Sequence, residues 1–286
     1  MTDDKKPGIR GYGEGTADVV MSVDDVTREA QRLKETVPPE KISSLSNDVP
    51  FVKIENLVAG YGEMEILYGF SLSVAKSQSL CLIGPNGAGK STVLHSIFGF
   101  TRIWSGSIMV DGRDVTSLTP SQKLKAAGIA YILQDNSVFP DMTVTENLLM
   151  GGFLLNDRAA AKQAAERVFD KYPRLAERRN QRAGVLSGGE RRLLEISRAL
   201  MMNPDVLLVD EPSIGLEPRF IDMVFEILDD LQKQEGKTII MVEQNAKKGL
   251  EFADIGSVLV SGELAMADKG DALLESDDVG RLFLGG

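Results

Sequence analysis

The stretch "GPNGAGKST", residues 84–92, decides the fold of this chain. It matches the spacing G-x-x-x-x-G-K-[ST], directly after the apolar run "SLCLI" (79–83) and before the helical pattern "TVLHSIFGF" (92–100). In such a turn, glycines let backbone N–H groups point at phosphate oxygens, and the helix that follows adds the positive end of its dipole. We expect the Lys90 ammonium to reach the β- and γ-phosphates of a nucleotide and the Ser91 hydroxyl to face Mg²⁺. The predicted phosphate site comprises Gly84, Pro85, Asn86, Gly87, Ala88, Gly89, Lys90, Ser91 and Thr92.

A second stretch, "DVLLVDEP" (205–212), is an apolar strand pattern that ends in two adjacent carboxylates. Asp210 would hold the hydration shell of Mg²⁺, and Glu211 would orient and deprotonate the attacking water. Acidic residues at the end of a strand are commonly only solvated. Because these two follow a phosphate loop in an alternating pattern of strands and helices, the catalytic interpretation is favoured.

Strand and helix patterns alternate through the second half of the chain. From Ser187 a helix runs to Met202, and it is followed by the strand "DVLLVDE", a helix from Pro218 to about Glu235 and the strand "KTIIMVE". Such alternation implies right-handed crossovers and a mostly parallel sheet, so we predict the α/β fold class. The helical stretch from about 135 to 186 interrupts the alternation and predicts an inserted helical subdomain.

Local signals also predict where particular turns and helices begin. Asp111-Gly112 in "GSIMVDGRDV" indicates a hairpin turn. Thr119 followed by Pro120 is typical of a helix start, with the threonine as cap and the proline at the first helical position. A further helix is expected from Asp157.

Residues 1–49 form an N-terminal extension that differs in texture from residues 50–286. The segment "SVDDVTREAQRLKE" (22–35) could form a short amphipathic helix capped by Ser22, or it could be part of a disordered tail. The segment "VPPEKISSLSNDVP" (37–50) is typical of a linker. A docking arm for a partner subunit is an alternative role for the extension.

The composition argues against several classes of function. A net charge of −10 disfavours binding to a nucleic-acid backbone, which requires clustered Lys and Arg. No apolar run approaches the ~18 residues that would span a bilayer, and "MTDDKKPGIRGYGEG" has no apolar core of a secretory signal. The single cysteine, Cys81, cannot form an internal disulfide and is expected to be buried in its strand. We therefore expect a cytoplasmic protein.

The stretch "LSGGE" (186–190) predicts a capped helix start. Ser187 and Glu190, three residues apart, form a capping box. Capping does not require the two glycines, so we expect Gly188 and Gly189 to expose the first N–H groups of the helix to an anion. The two interpretations are compatible, because a capped helix still points its dipole outward.

Together these motifs make residues 51–286 resemble the ATP-binding subunits of ABC transporters. In the order typical of that family, the chain has an aromatic residue before the phosphate loop, the loop, a glutamine after "GIAYIL", "LSGGE", "LLVDEP" and "SIGLEP". The resemblance implies a P-loop NTPase with a RecA-like core, an antiparallel β subdomain and the inserted helical subdomain. It also implies a head-to-tail pair of such domains, with ATP between the phosphate loop of one and the 187–189 turn of the other.

The resemblance assigns roles to further residues. Tyr61 would stack on adenine, although an ordinary aromatic residue at a strand end is the simpler alternative. Gln134 would touch Mg²⁺ and the attacking water and would link them to the helical subdomain, although it could be a solvated loop residue. The segment 213–218 would cross the dimer interface, with Glu217 in place of the more usual aspartate.

The segment "IIMVEQNA" (239–246) departs from the family pattern. Most members carry His-Asp where this chain has Gln244-Asn245, and the imidazole contacts the γ-phosphate. A carboxamide N–H can donate to the same oxygen without titrating. Because Glu211 is present, we predict a competent ATPase. Loss of activity is the competing interpretation.

The segments "VEQNA", "PDMTVTENLLMGG" and "DVGRLFLGG" are similar to those of LivF-type subunits of branched-chain amino acid importers. Such a subunit pairs with a LivG-type paralogue, or here with a second copy of itself, beneath two membrane permeases fed by a periplasmic binding protein. This implies a peripheral position on the cytoplasmic face of the inner membrane. Related importers carry urea, amides or organic acids. Arg191 and Arg192, where glutamines are commoner, are expected on a solvated helix face, with contact to the partner ATPase as the alternative.

Two other function classes are weighed against transport into the cell. A non-transport ABC ATPase acting on DNA or ribosomes would need a basic face and, in the chromosome-maintenance type, long coiled coils for which 134–186 is too short. An exporter ATPase, as in lipopolysaccharide export, would share "TVTENL" but normally keeps the switch histidine. The sole histidine, His95, is expected to be a packed or solvated helix residue.

Overall fold

A computed structural model describes residues 37–46, 49–134, 137–155 and 157–283. The candidate helix at 22–35 lies outside these ranges. The strands are β1 Pro50–Tyr61, β2 Met64–Ala75, β3 Ser79–Ile83, β4 Arg102–Val110, β5 Arg113–Asp114, β6 Ile129–Ile132, β7 Val206–Asp210, β8 Thr238–Val242, β9 Ile255–Val260 and β10 Glu263–Lys269. The α-helices are α1 Pro39–Leu45, α2 Lys90–Phe98, α3 Pro120–Ala126, α4 Val144–Gly151, α5 Arg158–Lys171, α6 Pro173–Glu177, α7 Gly188–Leu200, α8 Pro218–Lys233, α9 Ala246–Phe252, α10 Gly270–Leu274 and α11 Asp277–Phe283; a short 3₁₀ helix spans Ala183–Val185.

The strands form two sheets. One has the order β10-β9-β3-β8-β7-β6, and it is parallel except for β10, which pairs antiparallel with β9 at the edge. The other, β2-β1-β4-β5, is antiparallel. Every residue of β3, β7 and β8 is buried, as expected for parallel strands that are covered on both faces. The α/β fold with a parallel core and an antiparallel β subdomain is confirmed.

The segment between β6 and β7 is helical and has a hydrophobic core of its own. Helices α4 and α5 begin at caps that the sequence supplies, Thr143 and Asp157, whose side chains accept hydrogen bonds from the third following N–H group. Helix α7 takes part in two cores: Leu193 and Leu194 pack in the core of this segment, whereas Ile196 packs against the parallel sheet. The helix that begins at the "LSGGE" motif therefore joins the helical region to the sheet.

Part of the expected linker is folded against the core. Helix α1 packs on β2 and β10, and its Ile42 side chain is buried. The Gln78 amide donates to the Leu45 carbonyl at 2.9 Å, and Lys41 forms an ion pair with Asp268 at 3.0 Å. The linker interpretation is wrong for these residues, because two apolar side chains at helical spacing, Ile42 and Leu45, are enough to dock a helix of about two turns.

Two local expectations are confirmed. The β4–β5 hairpin turns through Asp111 and Gly112, whose φ angles of 50° and 69° are those of a type I′ turn. Thr119 and Gln122 form a capping box at the start of α3. Among the residues that the structure describes, none of the helices combines the length and the apolar character that a membrane span requires.

Candidate functional site

Three neighbouring strands of the parallel sheet end at one edge, and each is followed by a segment with predicted function. The phosphate loop follows β3, Glu211 follows β7, and Gln244 comes two residues after β8. The register pairs Asp210 with Val242, and the Glu211 N–H donates to the Val242 carbonyl at 2.9 Å. The carboxyl ends of parallel strands are where ligands bind in open α/β sheets. The fold thus gathers the predicted catalytic segments at one edge.

The phosphate loop is shaped by glycines in backbone conformations that other residues rarely adopt. Gly84, Gly87 and Gly89 have φ angles of 148°, 80° and 98°, and a Cβ at Gly84 would lie 2.2 Å from the Leu259 carbonyl oxygen. Helix α2 begins directly after Gly89, so no side chain caps its first N–H groups. These groups can turn toward a phosphate without displacing a side chain.

Lys90 is buried in this loop and bonded to the loop itself. Its ammonium donates to the carbonyl oxygens of Gly84 at 2.8 Å and Pro85 at 3.0 Å. Burial lowers the pKa of Lys90, while the carboxylates of Glu211 and Asp210 act in the opposite direction. The two carbonyl bonds hold the ammonium inside the loop, where a phosphate oxygen can replace either of them.

Asp210 is buried and each of its carboxylate oxygens accepts one hydrogen bond. The Ser91 hydroxyl donates to Oδ1 at 3.2 Å, and the Tyr131 hydroxyl donates to Oδ2 at 2.7 Å. Burial, followed by the charge of Asp210, raises the pKa of Tyr131, so this phenol remains a donor. The structure brings together the predicted metal residues Ser91 and Asp210. Tyr131 was not predicted; its only signal is a polar tip within the apolar "GIAYIL".

Glu211 follows in a left-handed backbone conformation, with φ at 43°, which is uncommon for a residue other than glycine. Gln134 donates from Nε2 to Glu211 Oε2 at 3.1 Å, so two of the predicted catalytic residues touch. Burial, and next the negative charge of Asp210, raise the pKa of Glu211, while Lys90 opposes them. A carboxylate with raised proton affinity is a better general base.

The segment after β8 places Gln244 in solvent and Asn245 at a helix start. The Gln244 side chain is exposed, and the Asn245 side chain caps α9 by accepting from the Lys248 N–H at 3.2 Å. Gln244 is therefore free to turn toward a ligand above the ends of β7 and β8. The neighbouring Glu243, which the sequence did not single out, is buried.

Tyr61 lies at the end of β1 with its ring partly exposed, and its hydroxyl hydrogen-bonds to His95 Nδ1. The two rings meet edge to face, with centroids 6.0 Å apart. His95 also packs against Phe100 and Tyr131, so the expectation of a packed helix residue is confirmed. Burial lowers the pKa of His95. The bond to Tyr61 holds the exposed ring in one orientation.

The "LSGGE" turn has the predicted capping box. The Ser187 N–H and hydroxyl donate to Glu190 Oε2 at 3.0 and 2.9 Å, and the Glu190 N–H donates to the Ser187 hydroxyl at 3.3 Å. Gly188 is exposed, with the nearest neighbour of a Cβ placed there 3.9 Å away. Gly189 is buried, and its Cβ would lie 2.1 Å from the Phe220 ring. The absence of a side chain at Gly189 thus has a packing reason that the sequence did not indicate.

The expectation of a solvated face at Arg192 is wrong. Its side chain is 4% exposed and forms an ion pair with Glu195 at 2.8 Å. Its Nη1 also donates to the Leu133 carbonyl at 2.8 Å, which ties α7 to the segment that carries Gln134. The Nη1 atom thus donates to a carbonyl and a carboxylate together, whereas Nε and Nη2 are buried without a hydrogen-bond partner among the described residues. Arg191 is partly buried and donates to the Leu186 carbonyl at 3.3 Å.

Comparisons with known proteins agree with this arrangement. The family model described as ABC transporter matches residues 67–214. The chain belongs to the ATP-binding subunits of ABC transporters. The high-affinity branched-chain amino acid transport ATP-binding protein BraG of Pseudomonas aeruginosa is 44% identical over 226 residues, which are 79% of this chain and 96% of BraG. The probable branched-chain amino acid transport ATP-binding protein LivF of Archaeoglobus fulgidus is 38% identical over 229 residues, 80% of this chain and 96% of LivF.

The fold of this ABC ATPase is also that of solved cassettes. The ADP conformation of an ATP-binding cassette of an ABC transporter superposes with a TM-score of 0.73 at 28% identity, covering 84% of this chain and 100% of that one. The prediction of a P-loop ATPase of this family is confirmed.

Proposed function

We propose that this chain is the ATP-hydrolysing subunit of an importer for branched-chain amino acids, and that it lies on the cytoplasmic face of the membrane. The observation that carries the proposal is the gathering of the phosphate loop, Asp210, Glu211 and Gln134 at one sheet edge, in a chain that is 44% identical to BraG over 79% of its length. Importers of urea, amides or organic acids use subunits of the same type and are the alternative for the cargo.

In this proposal ATP binds first to residues of this chain alone. Its triphosphate accepts from the N–H groups of residues 84–92, and the Lys90 ammonium exchanges its bonds to loop carbonyls for bonds to phosphate oxygens. The adenine stacks on the exposed ring of Tyr61, which His95 orients. The phosphate loop and Tyr61 thus hold the two ends of the nucleotide, and the groups that bind it are already oriented.

The residues around Asp210 fit a magnesium ion. Within the described ranges no group of three or more His, Cys, Asp or Glu side chains could hold a metal by itself, so the nucleotide must supply part of the coordination. Asp210, Ser91 and Gln134 offer oxygen donors, which is the chemistry Mg²⁺ prefers. A magnesium ion held there would supply positive charge to offset the charge of the triphosphate. Tyr131 holds the Asp210 carboxylate in place.

Hydrolysis then depends on Glu211 and on the amide side chains of Gln134 and Gln244. Glu211 accepts a proton from the attacking water, and Gln134 holds the carboxylate from one side. The exposed Gln244 donates an N–H to the γ-phosphate in place of the imidazole that most of the family uses. An amide donor of this kind supports turnover without a titrating group at this position.

The turn formed by Ser187, Gly188 and Gly189 serves the nucleotide of a partner. The exposed face at Gly188 supports approach by an anion from outside the chain, and the helix dipole of α7 points the same way. The partner is a LivG-type paralogue or a second copy of this chain. Closure of the pair on ATP and reopening after hydrolysis would drive the permeases, since only differential binding to the two states can shift their balance.

The surface next to Gln134 is suited to a permease. Leu133, Met150 and Phe153 are exposed apolar side chains. The first two line a cavity of ≈ 220 Å³ together with Arg198. Two buried side-chain nitrogens of Arg198 have no hydrogen-bond partner among the described residues. We expect a short cytoplasmic helix of a permease here, with apolar contacts and an acceptor oxygen for Arg198.

Reconstitution tests this function. The chain is placed with its candidate permeases, second ATPase and binding protein in proteoliposomes, and ATP turnover is measured with and without leucine, isoleucine or valine. The proposal expects these amino acids to stimulate turnover and to accumulate inside. Stimulation by urea, amides or organic acids alone would contradict the proposed cargo. Turnover that no permease influences would contradict the transport function.

A further inference from the structure

Glu243 is a buried carboxylate that no role described above explains. Its residue is 1% exposed, and no Lys or Arg side chain of the described residues pairs with it within 4.0 Å. A buried charge is costly unless hydrogen bonds compensate it. The groups that donate to Glu243 therefore bear on what the residue does.

Three hydrogen bonds converge on this carboxylate from two segments. Oε1 accepts from the Ser213 hydroxyl at 2.7 Å and from the Asn245 N–H at 2.8 Å, and Oε2 accepts from the Ser213 N–H at 3.3 Å. Ser213 is itself buried. Hydrogen bonds to a charged group are stronger than neutral ones, so the three together hold both segments.

The two segments that Glu243 contacts each carry a residue of the proposed catalytic site. Ser213 stands two residues after Glu211 and begins the segment 213–218, for which the resemblance to ABC transporter subunits implies a place at the dimer interface. Asn245 follows Gln244 directly. A change in the position of either segment is thus transmitted to the other through one side chain.

We propose that Glu243 is a positioning residue that joins the Glu211–Ser213 segment to the Gln244 segment, so that the two move as one unit when the dimer closes on ATP. This rests on the proposed function for the role of Gln244 and on the family resemblance for the role of segment 213–218. The simpler alternative is that Glu243 only satisfies nearby donors and stabilises the fold. The two interpretations differ in whether substitutions of Ser213 and Glu243 change turnover through the contact that these residues share.

Steady-state kinetics of Glu243→Gln test the proposal first. The amide keeps the size of the side chain but offers one acceptor oxygen, and its N–H₂ would face the Ser213 N–H. We expect kcat to fall about tenfold, as for loss of a hydrogen bond to a charged group, with the KM for ATP unchanged because the phosphate loop and Tyr61 are untouched. Ser213→Ala should lower kcat in the same direction, and Ser213→Thr, which keeps the hydroxyl, should restore it.

A double-mutant cycle separates positioning from independent effects. The Glu243→Ala, Ser213→Ala double variant should be no slower than Glu243→Ala alone, since Glu243→Ala already removes the acceptor of the Ser213 hydroxyl. Additive losses of kcat would overturn the proposal.

A matched control is present elsewhere in the chain. Asp254 accepts from the Ser79 hydroxyl at 3.0 Å and from the Ser79 N–H at 2.8 Å, at the amino end of β3 and therefore away from the site. Asp254→Asn breaks an equivalent carboxylate–serine contact. It should lower thermal stability while leaving kcat as in the wild type. If Asp254→Asn lost as much kcat as Glu243→Gln, loosening the sheet would be sufficient to lower turnover, and a positioning role for Glu243 would be contradicted.

Amide hydrogen exchange tests the connection without relying on activity. In Glu243→Gln, exchange should rise in both 211–216 and 243–246, and in the Asp254→Asn control it should rise in neither. Faster exchange in one segment only would overturn the proposal. If the wild type failed to respond to permeases, the proposed transport function would fall, while this exchange result would still decide the link between the two segments.

Discussion

Two helices in this molecule begin at glycine-containing turns, and they begin in opposite ways. Helix α2 starts at Lys90 after Gly89, with no side chain on its first N–H groups. Helix α7 starts at Gly188 after Ser187, and a complete capping box satisfies its first turn. The first N–H groups of α2 therefore remain available to an anion that the same chain binds. The start of α7 is stable by itself and presents one exposed glycine to the outside.

The glycines of the two turns also have different reasons to be there. In the phosphate loop they allow left-handed backbone conformations and a close approach to Leu259. At the second turn, Gly188 is exposed and a Cβ there would only touch Leu216 at 3.9 Å, whereas Gly189 makes room for Phe220. Substitutions near the start of α2 should therefore affect turnover. At the start of α7, some substitutions should affect turnover and others stability.

The largest effect is expected near the start of α2, at the general base. Glu211→Gln keeps the shape of the side chain but cannot take a proton from water, and loss of a general base typically costs ~10²–10⁴-fold in rate. ATP binding should remain, because Lys90 and the loop are unchanged. Measured kcat and nucleotide affinity check this. Normal turnover in Glu211→Gln would contradict the role of Glu211.

A smaller effect is expected at Gln244. Gln244→Ala removes the donor proposed for the γ-phosphate and should lower kcat about 10²-fold, as for loss of a positioned donor at a developing charge. Gln244→His should largely preserve turnover, because an imidazole N–H can reach the same oxygen. Equal rates for the wild type and Gln244→Ala would refute the assignment.

The two glycines of the capped start should respond differently. Gly189→Ala places a methyl group against the Phe220 ring and should lower the free energy of unfolding by about 1–3 kcal/mol. Gly188→Ala meets no such neighbour, so its unfolding should match the wild type, while turnover of the assembled pair should fall. Denaturant unfolding and ATPase rates of both variants test this. Equal destabilisation at the two positions would show that packing explains both glycines.

The smallest effect is expected from the cap itself. Ser187→Ala should lower the free energy of unfolding by about 1 kcal/mol, as should Thr119→Ala, which removes the equivalent capping box of α3. Only Ser187→Ala should also reduce turnover, since α3 is not part of the site. If both variants lost turnover equally, the effect at Ser187 would be one of stability alone.

Features that depend on residues close together in the chain could be predicted from the sequence alone. The helix start capped by Thr119, the capping box at Ser187 and the hairpin at Asp111-Gly112 each depend on fewer than about ten neighbouring residues, and each is where it was predicted. The alternation of strands and helices likewise predicted the parallel sheet.

Contacts between distant parts of the chain were not predictable from such patterns. Tyr131 bonds to Asp210 79 positions away, Glu243 to Ser213 30 positions away, and Arg192 to Leu133 59 positions away. Each pair forms because the fold brings two segments together, and nothing in the local spacing of either segment indicates the other. The docking of α1 was not predicted for the same reason.

The central claim is that the start of α2 on one chain and the capped start of α7 on its partner enclose one nucleotide between them. The direct test is a structure of the reconstituted assembly with ATP bound to the Glu211→Gln variant. The account predicts each triphosphate between residues 84–92 of one subunit and the glycine turn of the other. Triphosphates each enclosed by a single subunit, with the turn at 187–189 remote from any γ-phosphate, would contradict it.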